Sequence, residues 1–234
     1  MVPPHLFGCH TISNFGGYIK FHYRYAQMIF PQIPATTKKY IACIVNNNDI
    51  FRAEYASCLS ATGALDVLKE LKKEYGAKLL LGSGTITTGD QAAATIEAGV
   101  EFVVSPSLHL DVIARTRALG KLSIPGALTP TEVITAWNAG ADYVKVFPCS
   151  AMGGPSYLKS LLAPFPHLKL IPTGGVTLQT AESFLRAGAP VLGVGSDLVN
   201  LAAVDAGTPE TISEAARAYL EILTTVREEL RPVK

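Results

Sequence analysis

The sequence predicts an α/β fold, a TIM-type (β/α)8 barrel whose second strand is not found. Short apolar strands alternate with amphipathic helices about every twenty residues, which is typical of βα units that build a parallel sheet. Most of the helices end at a glycine, the usual residue after a helix because it accepts a positive φ at little cost. An open doubly wound sheet is the alternative, but residues 45–49, the first strand-to-helix turn, lack a glycine-rich dinucleotide motif.

Seven strands can be placed in the sequence. They open at Ile41, Lys78, Glu101, Lys121, Asp142, Leu168 and Val191. A closed barrel of this class has eight strands, and the irregularity lies between the first two. The interval from Ile41 to Lys78 is too long for one βα unit and about a dozen residues short of two. Residues 49–59 have a helical pattern and residues 64–71 continue it, so a helix follows a helix where a strand is expected.

The composition argues against several classes of protein. Hydrophobic residues make up 48% of the 234 residues and charged residues 17%, so a large core can be buried. The formal net charge is +1 without a basic stripe, which disfavours nucleic acid as a partner. The apolar runs are too short to span a membrane. The cysteines show no metal-binding spacing, which predicts a reduced, cytoplasmic protein without a metal. These cysteines are Cys9, Cys43, Cys58 and Cys149.

Residues 1–40 differ in composition from the rest of the chain. They contain no acidic residue, since the first is Asp49, and they are rich in aromatic residues that follow no helical period. We expect residues 1–40 to be a poorly ordered or non-native N-terminal extension and residues 41–234 to form the barrel domain. A targeting segment and an ordered cap on the barrel are the alternatives, although the apolar core of a signal peptide is missing.

A single lysine interrupts the apolar strand that precedes the loop 148–154. Lys145 shares one face of this strand with Tyr143 and Phe147, while Val144 and Val146 point the other way. A charged group is rare inside such a strand. Lys145 is therefore a Schiff-base nucleophile, a counter-ion for an anionic substrate, or a lysine that extends to the barrel mouth. Burial between two aromatic rings would lower the pKa of the amine and favour the nucleophile.

Two glycine loops follow the last two strands. In parallel barrels the functional loops follow the C-terminal ends of the strands, and this position commonly binds phosphate. Glycine loops that lead into helices present backbone N–H groups and positive potential to an anion. We therefore expect a phosphate site, although glycines also close tight turns that bind no ligand. The residues expected there are Thr173, Gly174, Gly175, Gly195 and Ser196.

Residues 76–200 resemble the class I family of 2-keto-3-deoxy-6-phosphogluconate (KDPG) and 4-hydroxy-2-oxoglutarate (KHG) aldolases. The resemblance depends on short motifs in a fixed order, each of which is common when it stands alone. The motifs are Gly-Ser-Gly-Thr at 82–85, Ser-Pro at 105–106, Ile-Pro-Gly at 124–126 with Thr129, Lys-Val-Phe-Pro at 145–148, Thr-Gly-Gly-Val at 173–176 and Gly-Ser at 195–196. The first strand, residues 41–45, is also similar to that of the family.

The resemblance implies a mechanism and a role for each site residue. Lys145 would form a Schiff base with the keto carbon, and cleavage would leave pyruvate as an enamine and release glyceraldehyde 3-phosphate, or glyoxylate from the shorter substrate. Thr85 would bind the pyruvate carboxylate, and Pro106 and Phe147 would contact the substrate, although a turn hydroxyl at Thr85 and simple packing of Phe147 remain alternatives. The glycine loops would bind the phosphate. The resemblance implies no metal or organic cofactor, and it implies a homotrimer.

The sequence departs from the family at the second strand. The family carries an acid–base glutamate at the end of that strand, and no counterpart is found between Leu59 and Gly63. Glu54 is close in sequence but falls in the predicted helix. General acid–base catalysis is typically worth about 10²–10⁴-fold in rate, so we expect an impaired aldolase. A substitute strand at residues 18–23, a gapped barrel and an error in the gene sequence are three explanations for the missing strand.

Two other functions remain open from the sequence. One is a non-catalytic barrel that binds sugar phosphates and derives from the same family. The other is a different phosphate-binding barrel enzyme, such as an isomerase or a thiamine-phosphate-type synthase. The second alternative requires acidic residues at other strand ends or a metal, and the sequence offers no matching set of carboxylates.

Overall fold

The structure is a computed structural model, which describes residues 42–46, 54–58, 64–75, 80–199, 202–203 and 208–230. The strands are β1 (Ala42–Asn46), β2 (Glu54–Cys58), β3 (Leu80–Gly84), β4 (Phe102–Val104), β5 (Leu122–Ile124), β6 (Gly126–Ala127), β7 (Val144–Val146), β8 (Leu170–Pro172) and β9 (Val191–Val194). The helices are α1 (Ala64–Tyr75), α2 (Gly89–Glu97), α3 (Leu110–Ala118), α4 (Pro130–Asn138), α5 (Pro155–Leu162), α6 (Ala181–Arg186) and α7 (Pro209–Glu229). The expectations for residues 1–40 lie outside the described residues.

The strands form a closed barrel. One sheet has the order β5-β4-β3-β2-β1-β9 and the other the order β6-β7-β8. Strands β5 and β6 are two parts of one barrel strand on either side of Pro125, whose carbonyl accepts a hydrogen bond from the N–H of Lys145. A parallel bridge between Thr173 and Gly193 joins the two sheets at the other side. All seven strands placed from the sequence are present within one or two residues of their expected starts.

An eighth strand, β2, occupies the position that seemed empty. Glu54–Cys58 pairs in parallel with β3 over five residues, from Glu54 opposite Leu80 to Cys58 opposite Gly84. The predictions of a helix across these residues and of a missing second strand are therefore wrong. A short segment that mixes apolar and polar residues fits both the helical period and the strand period of hydrophobic residues. Pairing with strands that are distant in sequence then decides its conformation.

Strand β1 runs antiparallel to both of its neighbours, β2 and β9. This corrects the expectation of a wholly parallel sheet, and it explains the short interval before β3. Seven residues, 47–53, separate β1 from β2, whereas two parallel neighbours need a crossover of about a dozen residues or more. An antiparallel pair can be joined by such a short connection, so two strands fit where two complete βα units do not.

Apolar side chains pack on both sides of the barrel wall. The lumen is filled by Phe102, Val104, Ile124, Ile171 and Val191, with Leu80 and Tyr143 against them. The opposite faces of the strands pack against the helices in two further clusters, which include Leu81, Val103, Val144 and Val146. Within the part of the chain that the structure describes, no helix is both long enough and apolar enough to cross a membrane.

Gly82 makes room for the ring of Phe102 in the lumen. It lies opposite Phe102 in the β3–β4 register, and a Cβ at Gly82 would lie 2.1 Å from two carbon atoms of the Phe102 ring. Since Phe102 is almost fully buried, the ring has little freedom to move away. The glycine at this position is therefore required by packing in the lumen.

We predict that Gly82→Ala destabilises the fold by about 1–3 kcal/mol through overpacking, measured by urea denaturation. Phe102→Leu in the same chain shortens the opposing side chain and should recover part of this loss. The double variant should therefore lose less free energy of unfolding than the two single variants lose together. Strictly additive losses would show that Phe102 does not depend on Gly82.

Candidate active site

Lys145 lies on the lumen face of β7, near its C-terminal end. Its strand neighbours Val144 and Val146 are fully buried in the outer core, and Tyr143 packs against the lumen cluster. The predicted division of the strand into two faces is therefore confirmed. Lys145 is half-buried and stands in register between Gly126 of β6 and Ile171 of β8. Its Nζ lies 4.6 Å from the centre of the Phe147 ring, within the range of a cation–π contact.

The loop after β4 crosses directly over the strand neighbour of Lys145. A Cβ at Gly126 would lie 2.4 Å from both the carbonyl carbon and the carbonyl oxygen of Pro106 and 2.6 Å from the backbone nitrogen of Ser107. Only a glycine at position 126 lets this loop approach so closely. Because Gly126 is opposite Lys145, the backbone of Pro106 is held against the strand next to the one that carries the lysine.

Thr85 follows β3 at the same end of the barrel and has a strained backbone. Its φ is 60°, which is unusual for a β-branched residue. The next residue, Ile86, holds this turn in place, since its side chain is fully buried and its N–H donates to the carbonyl of Val104 at 3.2 Å. Backbone strain of this kind costs about 1–3 kcal/mol and clusters at functional sites. The exposed Thr85 side chain is thereby fixed at the mouth.

The glycine loop after β8 is tied to the segment that follows Lys145. The N–H groups of Cys149 and Ser150 donate to the carbonyls of Thr173 and Gly174 at 2.9 and 3.2 Å. Gly174 and Gly175 have φ values of 85° and 77°, which glycine adopts without strain. A Cβ at Gly175 would also lie 2.4 Å from Cβ of Ser150. The strand that carries the lysine and the glycine loop therefore form one packed unit.

The two glycine loops lie next to each other. Thr173 forms a parallel bridge with Gly193, and a Cβ at Gly193 would lie 2.2 Å from Oγ1 of Thr173, so the threonine side chain occupies the space above this glycine. Gly195 and Ser196 follow directly after β9, and a Cβ at Gly195 would have no atom within 4 Å. The structure thus brings together the five residues expected at the phosphate site.

The C-terminal end of β2 carries no carboxylate. Glu54 is the first residue of β2, opposite Leu80, and the last residue, Cys58, is opposite Gly84. Four residues along a strand correspond to about 13 Å, so the backbone of Glu54 is far from the functional end of the barrel. The four residues after Glu54 are Tyr, Ala, Ser and Cys. Among the described residues, positions 55–58 of the second strand therefore contain no carboxylate.

The loop after β6 is held by an acidic side chain and a phenol. A capping box starts α4, as the residues Thr-Pro-Thr-Glu at 129–132 indicate, with Thr129 and Glu132 bonded to each other's backbone. The Glu132 carboxylate also accepts from the N–H of Leu128 at 3.0 Å. These N–H donors, that of Thr129 first, lower the pKa of Glu132. The Tyr157 hydroxyl donates to the carbonyl of Leu128, a contact that no sequence pattern indicates.

Two further residues near the glycine loops were missed by the sequence reasoning. The hydroxyl of Tyr219, in α7, donates to the carboxylate of Asp197, which lies two residues after Gly195. Neither residue belongs to a motif, and 22 residues separate them in the chain. Among the residues that the structure describes, no group of three or more His, Cys, Asp or Glu side chains is arranged to hold a metal ion.

The fold and the site together define a (β/α) barrel with an amine in its lumen and two glycine loops at its mouth. The sequence matches the family described as "Aldolase: KDPG and KHG aldolase" over residues 44–215. The chain therefore belongs to the KDPG and KHG aldolase family, whose members are carbon–carbon lyases.

Individual relatives agree with this assignment. The chain is 36% identical to 2-dehydro-3-deoxy-6-phosphogalactonate aldolase of Escherichia coli (strain K12) over 148 residues, which cover 63% of this chain and 72% of that protein. It is 30% identical over 160 residues to 2-dehydro-3-deoxy-phosphogluconate aldolase of Treponema pallidum (strain Nichols), covering 68% and 76%.

Known structures show the same fold. The native structure of KDPGal aligns with a TM-score of 0.70 and 26% identity, covering 91% of this chain and 94% of that one. KDPG aldolase from Legionella pneumophila, with pyruvate captured as a covalent carbinolamine intermediate, aligns with a TM-score of 0.68. The identity is 23%, and 86% of this chain and 91% of that chain are covered. At this level of identity the second similarity supports the fold alone.

We predict that Cys149 is inert in the native protein although it lies four residues after Lys145. It is fully buried, its Sγ lies 3.6 Å from the carbonyl of Gly154, and burial raises the pKa of the thiol to about 11. Since the thiolate is the reactive form, iodoacetamide at pH 8 should modify Cys149 only after unfolding. Site-resolved mass spectrometry measures this, with the urea-unfolded chain as the control. Rapid alkylation of Cys149 in the folded chain would contradict the prediction.

Proposed function

We propose that this protein is a class I aldolase in which Lys145 forms a Schiff base with a 2-keto acid. The observation that carries the proposal is the position of Lys145, which lies on the lumen face of β7 between Gly126 and Ile171, beside the loops after β4 and β8. An amine so placed can reach a ligand that enters from the C-terminal end of the barrel, where the functional loops of this fold lie.

The reaction begins when the neutral amine of Lys145 attacks the keto carbon, C2. The carbinolamine loses water and becomes a protonated imine, which withdraws electrons from C3. Since β2 ends without a carboxylate, solvent water takes the proton of the C4 hydroxyl; the C3–C4 bond breaks, its electrons form the C2–C3 double bond of an enamine, and the aldehyde leaves. Protonation of C3 and hydrolysis of the imine release pyruvate and restore the amine. The imine serves as the electron sink throughout.

The residues around Lys145 bind the two ends of the substrate. Thr85 binds the carboxylate of the keto acid, and Pro106 and Phe147 form the walls beside Lys145. The two glycine loops bind the phosphate through backbone N–H groups and hydroxyl groups, a mode that helix-leading glycine loops favour. The phosphate-binding residues are Thr173, Gly174, Gly175, Gly195 and Ser196.

The substrate is a 2-keto-3-deoxy sugar-acid phosphate, cleaved to pyruvate and glyceraldehyde 3-phosphate, or 4-hydroxy-2-oxoglutarate, cleaved to pyruvate and glyoxylate. Support comes from the relatives, which are named for the phosphogalactonate and phosphogluconate reactions. The proposal also takes residues 41–234 as the aldolase domain, residues 1–40 as an extension, and a homotrimer as the assembly.

A second candidate is a non-catalytic barrel that binds sugar phosphates. The observation in its favour is the end of β2, where no carboxylate follows Glu54. Without a proton shuttle, turnover falls by about 10²–10⁴-fold, while binding through the glycine loops is unaffected. Such a protein would be stabilised by a sugar phosphate and would release no pyruvate from the keto-acid phosphate.

We predict that pyruvate and sodium borohydride together add one reduced pyruvyl group to Lys145. The imine is reduced to a stable secondary amine, and peptide mass spectrometry locates it. Lys145→Met should abolish the adduct. Lys169→Met is the matched control, because Lys169 stands at the start of the next strand, with its Nζ 5.5 Å from the centre of the Tyr143 ring. An unmodified Lys145 at saturating pyruvate would refute the Schiff-base proposal.

We predict that a glutamate near the end of β2 raises the turnover number. Ala56 and Cys58 are opposite Gly82 and Gly84 in the β2–β3 register, in the C-terminal half of β2. Ala56→Glu or Cys58→Glu should increase kcat for the keto-acid phosphate by up to about 10²-fold, because a general acid–base group is restored. The matched controls, Ala56→Gln and Cys58→Gln, have the same size without a titrating carboxyl group. Equal rates for Glu and Gln variants would contradict the prediction.

A further inference from the structure

The two glycine loops are joined on the side away from the lumen by one phenol. Tyr219 is fully buried in the outer core between the barrel and α7. Its hydroxyl lies 2.5 Å from Oδ2 of Asp197 and 3.4 Å from the carbonyl oxygen of Val176. A phenol has one proton to donate. The hydroxyl shares this proton unequally: it donates chiefly to the Asp197 carboxylate, which is the closer and stronger acceptor, and weakly to the carbonyl of Val176.

The two contacts of this hydroxyl belong to different loops. Val176 follows directly after Gly175, in the loop after β8, and Asp197 follows directly after Ser196, in the loop after β9. The bridge between Thr173 and Gly193 of β9 also joins these two segments, within the barrel wall itself. The two segments are therefore held together at two points, one in the wall and one on its outer side.

The hydrogen bond also controls where a negative charge lies. Asp197 is exposed and stands one residue from Ser196, so an unrestrained carboxylate there could approach a phosphate dianion and repel it. The bond to Tyr219 directs Oδ2 toward the outer core instead. Burial, followed by the hydrogen bond to Asp197, raises the pKa of the phenol well above its usual value, so the donor keeps its proton across the physiological pH range.

We propose that Tyr219 is a positioning residue for phosphate binding, which holds the two glycine loops at a fixed spacing and holds the Asp197 carboxylate away from the ligand. This inference rests on the proposed phosphate site. Tyr219 touches neither substrate nor Lys145, so it acts on affinity for the phosphate end of the ligand and not on formation of the imine. The C-terminal helix α7 thereby contributes to ligand selection from outside the barrel.

The test separates the two ends of the substrate. The affinity for sn-glycerol 3-phosphate, which has no carbonyl group, is measured by calorimetry, and the rate of pyruvate trapping by borohydride is measured in parallel. Tyr219→Phe removes only the hydroxyl and should weaken glycerol 3-phosphate binding by about fivefold or more, since a hydrogen bond to a charged group is lost. The rate of pyruvate trapping should stay within about twofold of the original, because pyruvate carries no phosphate.

A second variant examines the same bond from its exposed end. Asp197→Ala leaves the buried ring in place, so it does not open a cavity. The double variant Asp197→Ala/Tyr219→Phe should bind glycerol 3-phosphate at least as tightly as whichever single variant binds it less tightly, because both changes remove the same hydrogen bond. Tyr157→Phe is the matched control, because it removes another phenolic hydrogen bond, to Leu128 of the loop after β6. It should leave glycerol 3-phosphate binding unchanged. Thermal melts confirm that each variant is folded.

The outcomes distinguish this inference from the function on which it rests. If the unmodified protein binds glycerol 3-phosphate and Tyr219→Phe binds it equally well, the positioning role is wrong and the phosphate site stands. If the unmodified protein does not bind glycerol 3-phosphate at all, both the site and the positioning role are overturned. Parallel losses of phosphate binding and pyruvate trapping in folded Tyr219→Phe would also overturn the inference, because they would indicate a general disturbance of the barrel.

Discussion

The placement of one amine in an apolar lumen is the constraint around which the rest of the site is arranged. Val144 and Val146 occupy the outward face of β7 and pack in the outer core. Because side chains alternate along a strand, Lys145 points inward. Gly126 then has to lack a side chain, because the loop that carries Pro106 crosses it. The hydrogen bonds from Cys149 and Ser150 attach the glycine loop to the same unit. Small changes at these contacts would displace the lysine relative to the loops after β4 and β8.

The sequence predicts structure that is determined by residues close together in the chain. It does not predict structure that is determined by contacts between distant segments. The seven regular strands and the capping box of Thr129 and Glu132 were predictable, because glycine caps and hydrophobic periods act within a few residues. Strand β2 was not predictable, because the sequence at 54–58 fits both the helical and the strand period. Its conformation is fixed by pairing with β3. The direction of β1 is not predictable either, because a short interval before Lys78 is equally compatible with a lost strand and with a reversed one.

The candidate site shows the same division. Its residues lie at strand ends, and strand ends can be read from a regular barrel pattern. The hydrogen bond between Tyr219 and Asp197 could not be predicted, because it joins a helix to a loop 22 residues away. No motif in either segment indicates it. The contact of Tyr157 with Leu128, across 29 residues, escaped for the same reason. Supporting contacts between elements are therefore visible only after the fold is known, although they decide how firmly the loops are held.

The central claim is that Lys145 activates a 2-keto acid through an imine, even though β2 ends without a carboxylate. The most direct measurement is the exchange of the methyl protons of pyruvate in deuterium oxide, followed by proton NMR, because exchange requires both the imine and its enamine. We expect exchange that depends on the protein and is lost in Lys145→Met. Absence of exchange in the unmodified protein, or equal exchange in Lys145→Met, would contradict the account.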